Sequence, residues 1–89
     1  MNIISQKIQS GAAIIDVRTP EEYREGAYPG ARNIPLNVLP SKLAELGPKD
    51  KPVVVYCASG GRSAAARGVL MSSGFTDVTN AGGLADMPE

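Results

Sequence analysis

The chain has no histidine and a single cysteine, Cys57, in 89 residues. Without imidazole, Ser-His-Asp triads, Cys-His dyads and histidine-based metal sites are excluded. One cysteine excludes an internal disulfide, a CxxC redox pair and a four-cysteine zinc site. Nine basic and nine acidic side chains cancel at neutral pH. A duplex nucleic-acid binder needs a basic surface, and a polybasic membrane anchor needs clustered Lys and Arg, so neither nucleic acid nor membrane is an expected partner. No stretch approaches the ~20 apolar residues that span a bilayer. Asn2, Ser5, Gln6 and Lys7 interrupt the start, so residues 1–10 do not read as a secretory hydrophobic segment. A cytoplasmic location is the default expectation, or a periplasmic one if a leader has been removed.

What remains is ordinary globular material: 43% of residues are hydrophobic and 20% charged, which argues against disorder. The length suits one small domain over residues 1–89. Ile3, Ile4 and Ile8, with Lys7 beside them, predict a short helix ended by Ser10-Gly11. The apolar run from Ala12 to Val17 predicts a buried strand. Thr19-Pro20-Glu21-Glu22 is a helix start, with Thr19 as N-cap, Pro20 in the first turn and Glu22 as the acid of a capping box. Residues 31–34 predict a second strand. Leu39, Leu43 and Leu46 predict an inward-facing helix over 40–46. Val53-Val54-Val55-Tyr56-Cys57 carries no charge and reads as a strand covered on both faces. A helix over 62–73 follows, with Ala66, Val69 and Leu70 inward, then a strand over 76–79 and a last turn after Gly82-Gly83. Strands alternating with helices predict an α/β fold, a parallel sheet flanked by helices on both faces. Ligands of such sheets bind outside the carboxyl ends of the strands, where Asp16, Arg18 and Cys57 should converge.

The segment Cys57-Ala58-Ser59-Gly60-Gly61-Arg62-Ser63 joins the clearest strand to a helix. Two glycines allow successive N–H groups to turn inward as an anion-binding nest, and the helix N-terminus adds partial positive charge. A sulfur there acquires a depressed pKa without any histidine. Arg62 adds a permanent cation, and Ser59 and Ser63 offer hydroxyls. Taken singly, each residue has a plainer reading: a buried cysteine is a small hydrophobe, two glycines make a turn, and an arginine is a solvated helix residue. A cation is unfavourable at a helix N-terminus unless an anion shares the place. Jointly these features point to a functional loop.

These residues resemble a single-domain rhodanese, a sulfurtransferase. The resemblance rests on Asp16-Val17-Arg18-Thr19-Pro20-Glu21-Glu22-Tyr23, Gly30-Ala31-Arg32-Asn33-Ile34-Pro35, Val54-Val55-Tyr56-Cys57 with its loop to Arg62-Ser63, and Asn80-Ala81-Gly82-Gly83. The ending is similar to that of the small phage-shock-type rhodaneses. The resemblance implies a parallel sheet of about four strands, ordered last–third–first–second, in a three-layer arrangement. It further implies that Cys57 accepts sulfane sulfur as a persulfide, cradled by the backbone of Ala58, Ser59, Gly60, Gly61, Arg62 and Ser63. The donor would be a small sulfur anion, thiosulfate or polysulfide, and the acceptor cyanide or a thiol, including a thioredoxin-like protein or glutathione. No metal or organic cofactor is implied. Phosphatase and arsenate-reductase relatives of this fold carry one more residue between Cys and Arg, so the bowl here suits one outer sulfur better than a phosphoryl group. A second class of reading is a non-catalytic interaction module of the same fold, which commonly lacks the cysteine. The chain departs from the family pattern at Gly26-Ala27-Tyr28-Pro29-Gly30, where a histidine is usual, and at Leu84 and Met87, where aromatics are usual.

Other rim residues have two readings each. Asp16 either orients the loop by accepting its N–H groups or caps its own strand end. Arg18 either recruits an anionic donor or, as favoured here, pairs with Glu21 or Glu22 at the surface. Arg67 extends the positive rim, and an exposed Tyr28 is a candidate contact surface.

Overall fold

The computed structural model describes residues 2–89. Helix α1 (Ile3–Gln9) starts at Asn2, whose side chain accepts the N–H groups of Ile4 and Ser5. Ile4 and Ile8, one turn apart, pack inward, whereas Ile3 is 59% exposed, so the expected three-isoleucine face is narrower by one residue. Lys7 is tied to Asp77 by an ion pair instead of sharing that face. Strand β1 (Ala13–Asp16) leads into α2 (Pro20–Glu25), which carries the predicted capping box between Thr19 and Glu22. Strand β2 is only Arg32–Asn33. The predicted helix over 40–46 is two 3-10 turns, Leu39–Ser41 and Leu43–Leu46, separated by Lys42 at φ −115°, ψ 8°. Turns this short need no continuous ladder, and they still bury Leu39 and Leu46.

Strand β3 (Val53–Cys57) and helix α3 (Gly61–Ser72) form the expected strand–loop–helix unit. The last strand, β4 (Val78–Gly83), begins two residues later than predicted and runs through the glycines that read as a turn. Gly83 pairs with Cys57 past an irregularity in the β3 ladder, and a Cβ at Gly83 would collide with the Ala58 carbonyl. Gly83 contributes the lack of a side chain, and Gly82 contributes a left-handed backbone at φ +91°. A 3-10 turn at Leu84–Asp86 follows.

The sheet order is β2-β1-β3-β4, all parallel, as the resemblance implies. Alternation along β3 divides the core. Val53, Val55 and Cys57 face a cluster with Ala66 and Leu70 of α3, Leu39, Leu46 and Phe75. Val54 and Tyr56 face a smaller cluster with Ile4, Ile8, Tyr23 and Met87. Helices therefore cover both faces. Cys57 lies on the α3 side, directly under that helix's start. Tyr28 belongs to the smaller cluster and is half-buried, so it is not the exposed contact proposed from sequence.

Candidate active site

Cys57 ends the central strand, and its residue is 1% exposed. Gly60 N lies 3.0 Å from Sγ, Ser63 Oγ 3.3 Å and Ser63 N 3.4 Å. Gly60 permits this closure because it sits at φ +101°, a left-handed conformation at the N-cap of α3. Burial by itself would push the thiol pKa up. The Ser63 hydroxyl and the amides of Ser63, Ser59 and Gly60 outweigh it, bringing the pKa from 9.0 down to about 7. Ser59 acts on the sulfur through its amide, not through the hydroxyl expected of it.

Arg62 is less available than the sequence suggested. Its Nη1 donates to Glu22 Oε1 at 2.7 Å and its Nη2 to Oε2 at 3.0 Å. Glu22 simultaneously accepts Thr19 N in the capping box, so one carboxylate joins the starts of α2 and α3. The Arg62 guanidinium and the Thr19 amide hold its pKa at about 2. The anion that justifies a cation at this helix start is thus a side chain of the protein itself.

Arg18 does not pair with Glu21 or Glu22 at the surface. It is 7% exposed, with Nη2 donating to Asp16 Oδ2 and to the Gly26 carbonyl, each at 2.7 Å, and Nε donating to Asp16 at 3.1 Å. Its guanidinium carbon lies 5.6 Å from the centroid of the Tyr56 ring. Asp16 also accepts Arg18 N at 2.9 Å, which makes it the cap of its own strand end and not an anchor for the cysteine loop. The register places Asp16 beside Tyr56, so both charges sit on the predicted rim, committed to each other.

Residues 2–86 match the family model of the rhodanese-like domain. The chain belongs to the rhodanese-like family. It is 45% identical over 74 residues to the thiosulfate sulfurtransferase PspE of Escherichia coli, an overlap of 82% of this chain and 71% of that protein. It is 42% identical over 67 residues to a sulfurtransferase of Allochromatium vinosum, covering 75% of this chain and 62% of that one. Among solved structures, an E. coli rhodanese with anions superposes at TM-score 0.82 with 42% identity, over 88% of this chain and 95% of the other. A human single-domain sulfurtransferase gives TM-score 0.82 at 31% identity, over 90% and 83% of the two chains.

Two further residues of this rhodanese-like chain depart from the sequence reading. Arg67 does not extend the rim: its Nε donates to the Val78 carbonyl at 2.8 Å, at the amino end of β4 and therefore the far end of the sheet. Asn80 stands out in the sequence only as the first residue of Asn80-Ala81-Gly82-Gly83. Its Oδ1 accepts Ser63 Oγ at 2.7 Å and Gly82 N at 2.9 Å, and its Nδ2 donates to the Gly60 carbonyl at 3.3 Å. The expected strand stops at residue 79, so Asn80 stands just past its end, where asparagine is ordinary, and no local signal marks it. Beside Arg62, a cleft of about 290 Å³ is lined by Val17, Thr19, Pro35, Leu36 and Asn37.

Proposed function

We propose that this protein is a sulfurtransferase in which the Cys57 thiolate attacks the sulfane sulfur of thiosulfate or a similar donor. The donor's S–S bond breaks, sulfite leaves with the bonding pair, and Cys57 carries the sulfur as a persulfide anion. Cyanide or a thiolate then attacks the outer sulfur, and Cys57 departs as thiolate. Oriented amides do electrostatic work on the thiolate, because Gly60 N and Ser63 N are already aimed at Sγ. The observation that carries this reading is one cysteine sulfur met by amide and hydroxyl groups, with no imidazole in the chain. The identity to PspE, named a thiosulfate sulfurtransferase, supports the choice of donor. The cleft beside Arg62 offers room for part of a small thiol acceptor such as glutathione.

Treatment with thiosulfate should raise the intact mass by one sulfur, and cyanide should remove it as thiocyanate. An unchanged mass with thiosulfate and with polysulfide would overturn the assignment. Iodoacetamide labelling should follow the thiolate fraction. Because the loop donors lower the thiol pKa from 9.0 to about 7, the rate should climb through a midpoint near pH 7. A midpoint at an ordinary thiol value would favour a non-catalytic module.

Glu22 should shape donor preference. It remains ionised at every pH above about 2, so a dianionic donor competes with it for Arg62 throughout the assay range. Glu22→Gln should lower the KM for thiosulfate about two- to fivefold, the scale of an exposed ion pair, with little change in kcat. Steady-state kinetics at fixed cyanide measure this, and a raised KM would contradict it.

A further inference from the structure

The Ser63 hydroxyl has one proton and more places for it than it can serve. Asn80 Oδ1 lies 2.7 Å from Ser63 Oγ, and Cys57 Sγ lies 3.3 Å away on another side. The Gly60 and Gly82 carbonyls, at 3.2 and 3.3 Å, are more distant alternatives than Asn80. The orientation of the Asn80 amide is not free. The Gly82 N–H can face only an oxygen, and the Gly60 carbonyl can face only the NH₂, so Oδ1 is turned to Ser63.

Two proton arrangements follow. With a neutral thiol, S–H donates to Ser63 Oγ, and Ser63 donates onward to Asn80. With a thiolate, Sγ can only accept, so the hydroxyl rotates toward it and Asn80 Oδ1 keeps the Gly82 amide alone. We propose that Asn80 is a positioning residue that competes with the Cys57 sulfur for the Ser63 proton, so that the Ser63 hydroxyl follows the charge on the sulfur.

Resting on the sulfur-transfer reading above, the relay has a consequence for the second half of the reaction. In the persulfide the inner sulfur is neutral and the charge resides on the outer one. The hydroxyl then returns to Asn80, whose acceptance compensates for the donor withdrawn from Sγ. No proton is gained or lost in that rotation. Asn80 thereby narrows the free-energy difference between charge on the inner and on the outer sulfur.

The charge on the sulfur's own side is Arg62 of α3, paired with Glu22 of α2, whereas Asp16, Arg18 and the neutral Tyr56 phenol are joined on the opposite face of the sheet, and Asp86 of the last turn is held by Gly83 N. These stay constant across the variants below, so differences among the variants report the relay.

The test is a pH profile of iodoacetamide alkylation, read with a double-mutant cycle. Ser63→Ala removes the donor and should raise the thiol midpoint by about half to one pH unit, the scale of one hydrogen bond. Asn80→Ala removes the competitor and should move the midpoint in the opposite direction, down by a few tenths of a unit or more. In a Ser63→Ala background, Asn80→Ala should have no further effect. Asn80→Asp adds a charge that raises the midpoint in either background, so the relay is read from a larger rise with Ser63 than in Ser63→Ala, and equal rises would overturn it; this keeps the test decisive if the alanine variant does not fold. A rise with Asn80→Ala, or an equal shift with and without Ser63, would overturn the relay and leave Asn80 a structural residue. Mass detection of the persulfide in the unsubstituted protein separates the two readings: its absence refutes sulfur transfer, while the alkylation midpoints still decide the relay.

Discussion

Cys57→Ala is expected to reduce thiosulfate–cyanide turnover by at least about a thousandfold, because the nucleophile of both half-reactions is gone. The same variant should show no gain of a sulfur after donor treatment. Its fold should persist, since alanine replaces only a thiol in a strand whose ladder and neighbouring valines are unchanged. Buried cysteine behaves as a small hydrophobe in packing, so removing it shrinks the core by little. Thiocyanate formation, intact mass and a thermal melt together check the result. Turnover retained in a folded alanine variant would remove Cys57 from the mechanism.

Asp16→Ala should have the largest effect on stability. Its carboxylate is fully buried and accepts the Arg18 amide and the Arg18 guanidinium. Without it the guanidinium keeps the Gly26 carbonyl and the Tyr56 ring face, but no counter-charge. Breaking one side of a buried pair costs about 3–5 kcal/mol, against the ~5–15 kcal/mol typical of a whole domain. Removing both partners, as in Asp16→Ala with Arg18→Met, should recover most of the loss, because no unpaired charge remains. Urea midpoints at unchanged slope measure both variants. Equal losses in the single and double variants would mean that packing, not charge, sets the cost.

Local chemistry made much of this protein legible. The capping box at Thr19 and Glu22, the uncharged strand over 53–57 and the glycine loop after it are written in adjacent residues, and each forms where expected. Element ends were less legible. Gly82 takes the left-handed backbone its turn signal suggests, yet the demand met at Gly83 is close approach of two backbones, which depends on how β4 lies against the cysteine loop. The partner of Arg18 was available in principle, since residues two apart at a strand end point to the same side. The surface carboxylates simply offered a competing solution.

The sequence by itself determined the chemistry permitted to this chain. One cysteine, no histidine and a glycine-rich strand-to-helix loop require that backbone amides and a hydroxyl do what imidazole does elsewhere. The tertiary structure decided which charges remain free to take part. Arg62 meets Glu22 across 40 positions of sequence, and Ser63 meets Asn80 across 17. Such distances are closed only by parallel crossovers that bring the ends of β3, β4 and α2 to one rim. Local signals are set by neighbours along the chain, whereas charge pairing is set by register and layer packing. For that reason the positive bowl expected from sequence is electrically quieter, with Arg62 and Arg18 already paired and the sulfur served by its own loop.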